Sequence, residues 1–490
     1  MTERTANPIY ADSTPAVGQI LALDIGTSAV RAGLVGADGS ILASSRVDRH
    51  GGVGGGLFDA EELYRCVLNT LREVAPAGTP RALSLSAHIG TIPVDQNLNP
   101  LDQGGGWSDS RGLDEFQQQD ESLLASVLDE AGRPRSTGGA LAYALQARRR
   151  EDINHRLHAL LSPKDFVVAR LTGQILTDTI DAAYTLASAV RCRTWNHGAL
   201  EQMGLDPSIF PPQTEPLSII GELSSEASHR TGLPQGLPVA AGGPDGSIGI
   251  AVLLGDRRDR IADIAGTTDV LGRLIPDETH QPQGTMLNPA VLPELFAAVG
   301  ATGLTGGAVT HWRGLIGSVE AEEVMALPPG ACGLKVLTSL TGARFPHWKP
   351  KARGAVLGQG TDHGPAHLLR AVHESVGFTV REAIDVLDPD QSLPVVLAGG
   401  VSRSRPALQL RANILNRPLM VQREPEITLL GAAAVGFAAI EPAAEYTTIC
   451  SALLSSNDEV LPQPQTAEDY AQLYDEWRDM RDAVECLREL

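Results

Sequence analysis

Asp24 stands inside an apolar run, Leu21-Ala22-Leu23-Asp24-Ile25, that turns through Gly26-Thr27-Ser28 and resumes as a second apolar run from Ala29. A buried carboxylate without a partner is strongly unfavourable, so Asp24 has to face a cation, a hydrogen-bond donor or water. A turn of the form Asp-x-Gly-Thr-Ser between two strands aims backbone N–H groups and hydroxyls into one concavity. Such a concavity suits phosphate oxygens, and a nearby carboxylate can hold Mg²⁺ directly or through its waters. The plain alternative is a hairpin with Asp24 in an Asx-turn. A second copy favours the phosphate reading: "ADIAGTTDVLGRLI" at 262–275 repeats the order apolar, Asp, Ile, Gly, Thr, hydroxyl, apolar strand, with Ala265 as one extra residue. Two such turns could hold one phosphate chain between them. A further carboxylate, Asp245, sits among Gly243, Pro244 and Gly246 at the start of a small-residue helix, where the bland reading is an N-cap.

The elements that carry these residues are legible. Residues 20–47 read as strand, turn and strands, with Asp38-Gly39 a strong turn signal. Asp59, followed three residues later by Glu62, reads as a capping box opening a helix. Leu63, Cys66, Val67, Leu71 and Val74, with Thr70 as the one polar member, form its buried stripe. Residues 232–243 read as a crossover between halves. A long helix carries Leu368, Leu369, Val372, Val376, Val380, Ala383, Ile384 and Leu387 on one face and leads to a strand at 394–398. A last helix from about Thr466 carries Tyr470, Leu473, Tyr474, Trp477, Met480, Val484 and Leu487, a stripe that fits docking on the same chain or a dimer surface. The fold class expected is α/β, with the repeat making two similar domains facing one another.

Size and composition agree. A chain of 490 residues exceeds what one core usually supports, and 42% apolar with only 4% aromatic residues suits aliphatic helix–sheet packing. A net charge of -20 argues against nucleic acid and anionic membranes as partners, while leaving room for a phosphorylated small molecule held by local amides. Five scattered cysteines without C-x-x-C spacing suggest neither a disulfide framework nor zinc, and a reducing, cytoplasmic setting. Residues 1–17 read as a flexible leader, 18–243 as an N-terminal domain and 244–490 as a C-terminal domain with the last helix.

From about residue 20 to about residue 440 the sequence resembles the FGGY carbohydrate kinases. Its segments fall in family order: "LDIGTSAVR", "GWSDSR" at 106–111, "SPKDFVVARLTG" at 162–173, "TDTIDAAYTL" at 177–186, "AAGGPDG" at 240–246, "IAGTTDVL" at 264–271, "GARFPHWKPKARGAVLG" at 342–358 and "LAGGVSRSRPALQLRANILNRPL" at 397–419. The resemblance implies two actin-like, ribonuclease-H-like ATPase domains around an active-site cleft. It also implies ATP and Mg²⁺ as cofactors, with a small sugar as acceptor, foremost a ketopentose such as xylulose. Another polyol substrate, or a non-catalytic nucleotide-binding protein of the same fold, are the alternatives. Carried over by position, Asp24 is the Mg²⁺-associated carboxylate, and Gly26, Thr27 and Ser28 lie near the nucleotide phosphates. Asp245 is the base that takes the proton of the sugar hydroxyl. Gly266, Thr267 and Thr268 form the second phosphate loop, and Gly307, His311, Gly399, Gly400, Ser404 and Asn413 fall on the nucleotide side. Trp107, Asp109 and Arg111 flank the sugar pocket, and His88 is a candidate donor to a sugar oxygen. Departures concentrate on the acceptor side: Ala87-His88-Ile89 replaces the family's Gln-containing segment, Ala343 stands for a Glu, and Gly246-Ser247 for Asn-Ala. On the nucleotide side, Val401 stands for a third glycine and Asn413 for Asp.

Overall fold

The structure is a computed structural model, and it describes residues 18–276, 280–317, 319–454 and 458–488. The expected leader at 1–17 lies outside the described residues. In the first half β1 (Gln19–Ile25), β2 (Ala29–Gly36) and β3 (Ile41–Asp48) form an antiparallel meander. Helix α1 (Ala60–Val74) then crosses to β4 (Ala82–Ala87), which pairs parallel to β1. Asp59 caps α1 as expected, accepting from the N–H groups of Glu61 and Glu62. Glu62 does not return to Asp59 but accepts the His50 N–H at 3.0 Å, so the cap is one-sided and ties the preceding loop down. With β5 (Ile219–Glu222) and β6 (Pro238–Ala240) the sheet runs β5-β6-β4-β1-β2-β3.

Past α2 (Asp245–Leu254) the pattern recurs: β7 (Ile261–Ala265), β8 (Thr268–Pro276), β9 (Met286–Pro289), β10 (Leu295–Leu304), helix α3 (Gly306–Ile316), long helix α4 (Pro365–Leu387) and β11 (Val395–Gly399). Helix α5 (Arg405–Leu415), β12 (Leu419–Val421), α6 (Ile427–Ile440), β13 (Asp458–Val460) and α7 (Pro464–Arg488) complete it. This sheet runs β9-β10-β8-β7-β11-β12-β13. Stripped of edge additions, both sheets order their strands third, second, first, fourth, fifth, with the fourth parallel to the first.

The two halves exchange helices. Helix α6 is apolar all round, "ITLLGAAAVGFAAI", which suits burial on every side. It lies on β1 and β4 of the first sheet: a Cβ added at Gly436 would come within 2.7 Å of Ile20. Helix α2 lies on β7 and β8 of the second sheet, with Gly249 against Ile264 and Ile250 against Gly272. The helices cross where Gly431 meets Ile248, and one apolar cluster joins Ile20 and Ala22 to Ala262 and Ala398. Separate domains divided at 243/244 therefore describe the chain path, while the core runs through both. Helix α7 uses its stripe within the chain: Tyr470, Tyr474 and Trp477 are buried around Phe378. Among the described residues, no helix is long and apolar enough to cross a membrane.

Candidate active site

Equivalent hairpins end at the two glycine-hydroxyl turns. Gly26 N–H closes on Ala29 O at 2.9 Å and Gly266 N–H on Thr268 O at 3.1 Å. Matching Gly26 to Gly266 corrects the alignment of the carboxylates. Two residues before Gly26 is Asp24, but two before Gly266 is Ile264. Side chains alternate faces along a strand, so Asp263 points the other way. There it is fully buried and pairs with Arg411 at 2.7 Å, which also holds Asp269 at 2.5 Å. Asp263 is thus a core ion pair, pushed up to about 8 by burial and then by Asp269, whereas the charge of Asp24 acts on Asp245.

Asp24, 4% exposed, accepts from Ser86 Oγ and from Arg31, each at 3.1 Å. Burial raises its pKa and Arg31 pulls it back. Thr27 and Ser28 stand exposed at the tip of the turn. Asp245 occupies the first turn of α2. Its nearest partner is the adjacent Gly246 N–H at 2.7 Å, and Pro244 rather than Asp245 holds the cap position. With no cation among the described residues paired to it, desolvation and then the charge of Asp24 push Asp245 up to about 7. A carboxylate poised near neutrality, in a cleft, is suited to taking a hydroxyl proton.

A cleft of about 660 Å³ between the halves collects Thr27, His88, Trp107, Asp109, Asp245, Thr267 and Thr268 from the sequence candidates. Asp24, Gly26, Ser28, Arg111 and Gly266 are not part of that lining, nor are Gly307, His311, Gly399, Gly400, Ser404 and Asn413. Several of these have local duties. Gly306 and Gly307 let α3 start directly on the second turn, where a Cβ at Gly306 would come 2.3 Å from Gly266 O, and the Thr305 and Gly307 N–H groups both donate to Thr267 O. Gly399 has φ +97° and its Cβ would meet Ala265 O at 2.5 Å, so the chain can leave β11 there only with glycine. Ser404 caps α5, Asn413 spends its amide on Gln409 and Gln463, and His311 is exposed on α3.

On the acceptor side, His88 is 3% exposed and both ring nitrogens are engaged. Arg49 can only donate, so Nε2 accepts from it at 3.0 Å and Nδ1–H donates to Ile89 O at 3.1 Å. Burial lowers its pKa to about 4, leaving a neutral wall rather than the free donor the sequence suggests. Asp109 is gripped by Arg111 through bonds of 2.7 to 3.0 Å and keeps only its remaining lone pairs for a ligand. Trp107, 53% exposed, has the Arg344 guanidinium 5.1 Å above its ring.

Three further features at the cleft carry no local sequence signal of their own, the first being the cluster behind Asp165 and Asp181 of the lining. Lys164 is fully buried among Asp165, Asp178 and Asp181, at 2.5, 3.1 and 3.5 Å. Burial alone would lower the ammonium, but the three carboxylates hold it above its ordinary value. The carboxylates could otherwise chelate a metal; the ammonium already sits among them. The Arg344 guanidinium has no hydrogen-bond or ion-pair partner among the described residues, and burial lowers its pKa. Tyr184 and Ser247 line the cleft together, hydroxyls 3.4 Å apart.

Two sheets of this strand order, with glycine-hydroxyl turns facing across a cleft, form the actin-like ATPase fold. Residues 19–251 match the N-terminal domain of the FGGY family of carbohydrate kinases and residues 262–440 its C-terminal domain; the chain belongs to that family and is a carbohydrate kinase that uses ATP. It is 25% identical to a xylulose kinase of Staphylococcus xylosus over 94% of this chain and 99% of that one. It is 23% identical to a gluconokinase of Bacillus subtilis, covering 93% and 94%. The structure of a ligand-bound xylulose kinase from Lactobacillus acidophilus superposes with a TM-score of 0.88 at 21% identity, over 95% of this chain and 98% of that one.

Proposed function

We propose that the chain transfers the γ-phosphoryl group of ATP to a hydroxyl of a ketopentose such as xylulose. The observation that carries this reading is Asp245: a carboxylate with no paired cation among the described residues, pushed up to about 7, in the cleft that Thr27 and Thr267 line from opposite halves. Asp245 takes the proton of the acceptor hydroxyl while its oxygen attacks the γ-phosphorus, and the bond to the β,γ-bridging oxygen breaks to release ADP. Thr27, Thr267 and Thr268 and the amides of their turns orient the phosphates. The donor set fits a hard cation, since Asp24 and Asp245 offer carboxylate oxygens whose mutual repulsion a cation would relieve. Mg²⁺ held through Asp24 would neutralise charge on the phosphates. The free thiols of Cys66, Cys192, Cys332 and Cys450 support a reducing, cytoplasmic setting. With the stripe of α7 used in cis, a homodimer would form through another face.

One observation favours a second acceptor class. Arg344 offers to the cleft, beside Trp107, a guanidinium with no ion-pair partner among the described residues, and guanidinium groups are suited to carboxylates. A sugar acid of the gluconate type would supply the missing anion, and a gluconokinase stands among the relatives. ADP release measured with D-xylulose, D-ribulose, D-gluconate, glycerol and erythritol separates the two. Preference for a ketopentose supports the first reading, preference for gluconate the second, and no stimulation by any of them overturns both.

A further inference from the structure

Tyr184 ends a chain of hydrogen bonds whose direction is fixed. The Arg133 guanidinium is buried, has no ion-pair partner among the described residues, and can only donate. It donates to Ala183 O and Leu287 O, each at 2.7 Å, and to Asn288 Oδ1 at 2.8 Å, while stacking 4.9 Å over the Tyr184 ring. That contact fixes the amide of Asn288, itself buried, and leaves Nδ2 donating to the Tyr184 hydroxyl oxygen at 2.8 Å. The phenol oxygen therefore accepts, and its one proton has to point elsewhere. Among the described residues, the only hydroxyl it meets is Ser247 Oγ at 3.4 Å, well beyond the usual 2.7 to 2.8 Å or so of an O–H···O bond. Tyr184 and Ser247 both line the cleft, and Ser247 lies two residues after Asp245 on the first turn of α2.

We propose that Tyr184 donates this proton to one oxygen of the acceptor sugar and thereby selects which of its hydroxyls stands beside Asp245. The proposal rests on the sugar-kinase reading. The long contact to Ser247 is exchanged for a ligand oxygen at ordinary distance. The preceding relay, anchored in Arg133 and in Asn288 of β9, holds the donor in place before the sugar arrives. Tyr184 is thus a specificity-determining residue contributed by the first half and aimed by the second.

The test uses the full chain and the acceptor that gives the highest kcat/KM in the panel above, together with its monodeoxy analogues. Y184F should lower kcat/KM for that acceptor about tenfold, the usual scale for losing one such bond, without changing the KM for ATP. One deoxy analogue, lacking the hydroxyl that Tyr184 contacts, should be used equally by wild type and Y184F. N288D provides a second arm: a carboxylate cannot donate to the phenol oxygen and instead accepts its proton, turning the hydroxyl away from the cleft. N288D should show the same loss, and Y184F/N288D should be no worse than Y184F. Wild-type kinetics in Y184F, or an equal loss toward every deoxy analogue, would overturn the proposal alone. Absence of any acceptor-stimulated ADP release in the wild type would overturn the sugar-kinase reading and this proposal with it.

Discussion

Asp24 and Arg31 stand directly opposite one another across the β1–β2 ladder and pair at 3.1 Å, so the carboxylate that raises the pKa of Asp245 is itself held by a cation. This coupling has a kinetic signature. With both substrates below saturation, kcat/KM reports groups of the free enzyme. It should fall on the acid side as Asp245 gains its proton, with a limb near pH 7. D24N removes the neighbouring negative charge, so the limb should move to lower pH by roughly half a unit to one unit, whatever the loss in rate. A limb that stays in place or moves up would refute the coupling.

Replacing Asp245 by Asn keeps its shape and removes the base. The kcat for acceptor phosphorylation should fall about 10²- to 10⁴-fold, with the Kd for ATP by calorimetry unchanged. Stability should move the other way. A carboxylate whose folded pKa is raised costs stability progressively as pH climbs from its unfolded value toward 7. D245N should therefore melt higher than wild type at pH 8, by about 2 °C, and no higher at pH 4.

Arg344 separates acceptor classes. If a sugar acid is the acceptor, R344Q should raise its KM at least about tenfold, the scale of losing a charged hydrogen bond, and leave D-xylulose nearly untouched. Equal effects on gluconate and xylulose would assign Arg344 to the cleft wall or to the donor phosphates.

The buried triad of Arg411, Asp263 and Asp269 tests the core of the second half. R411M leaves two desolvated carboxylates without their cation and should cost about 3–5 kcal/mol in urea unfolding at pH 8. Asp263 has a raised pKa, so ionisation opposes folding as pH rises; at pH 5 the variant can protonate and the loss should be smaller.

At the exchanged helix, G436V would force a side chain against Ile20 and Ser84 and should cost about 1–3 kcal/mol. A neutral result would mean that α6 does not sit tightly on the first sheet.

The sequence by itself determined what local pattern can encode. Alternating apolar runs around Gly26-Thr27-Ser28 and Gly266-Thr267-Thr268 specify hairpins, and small residues after Asp245 specify a helix that begins at a carboxylate. The ordered segments specify the family and with it the donor side of the reaction. Tertiary structure decided what depends on register and on distant contacts. Because strand side chains alternate, the single extra residue Ala265 turned Asp263 from a partner of Asp24 into a core ion pair. Arg49, thirty-nine residues away in sequence, donates to Nε2 of His88 and so commits the one N–H of that ring to Ile89 O, while Ser404 is taken by the cap of α5 and Asn413 by Gln409 and the distant Gln463. Arg344 over Trp107, the exchange of α2 and α6, and the aim of the Tyr184 hydroxyl each join residues far apart along the chain. No periodicity carries such pairings, since they arise only when two sheets close on a common cleft.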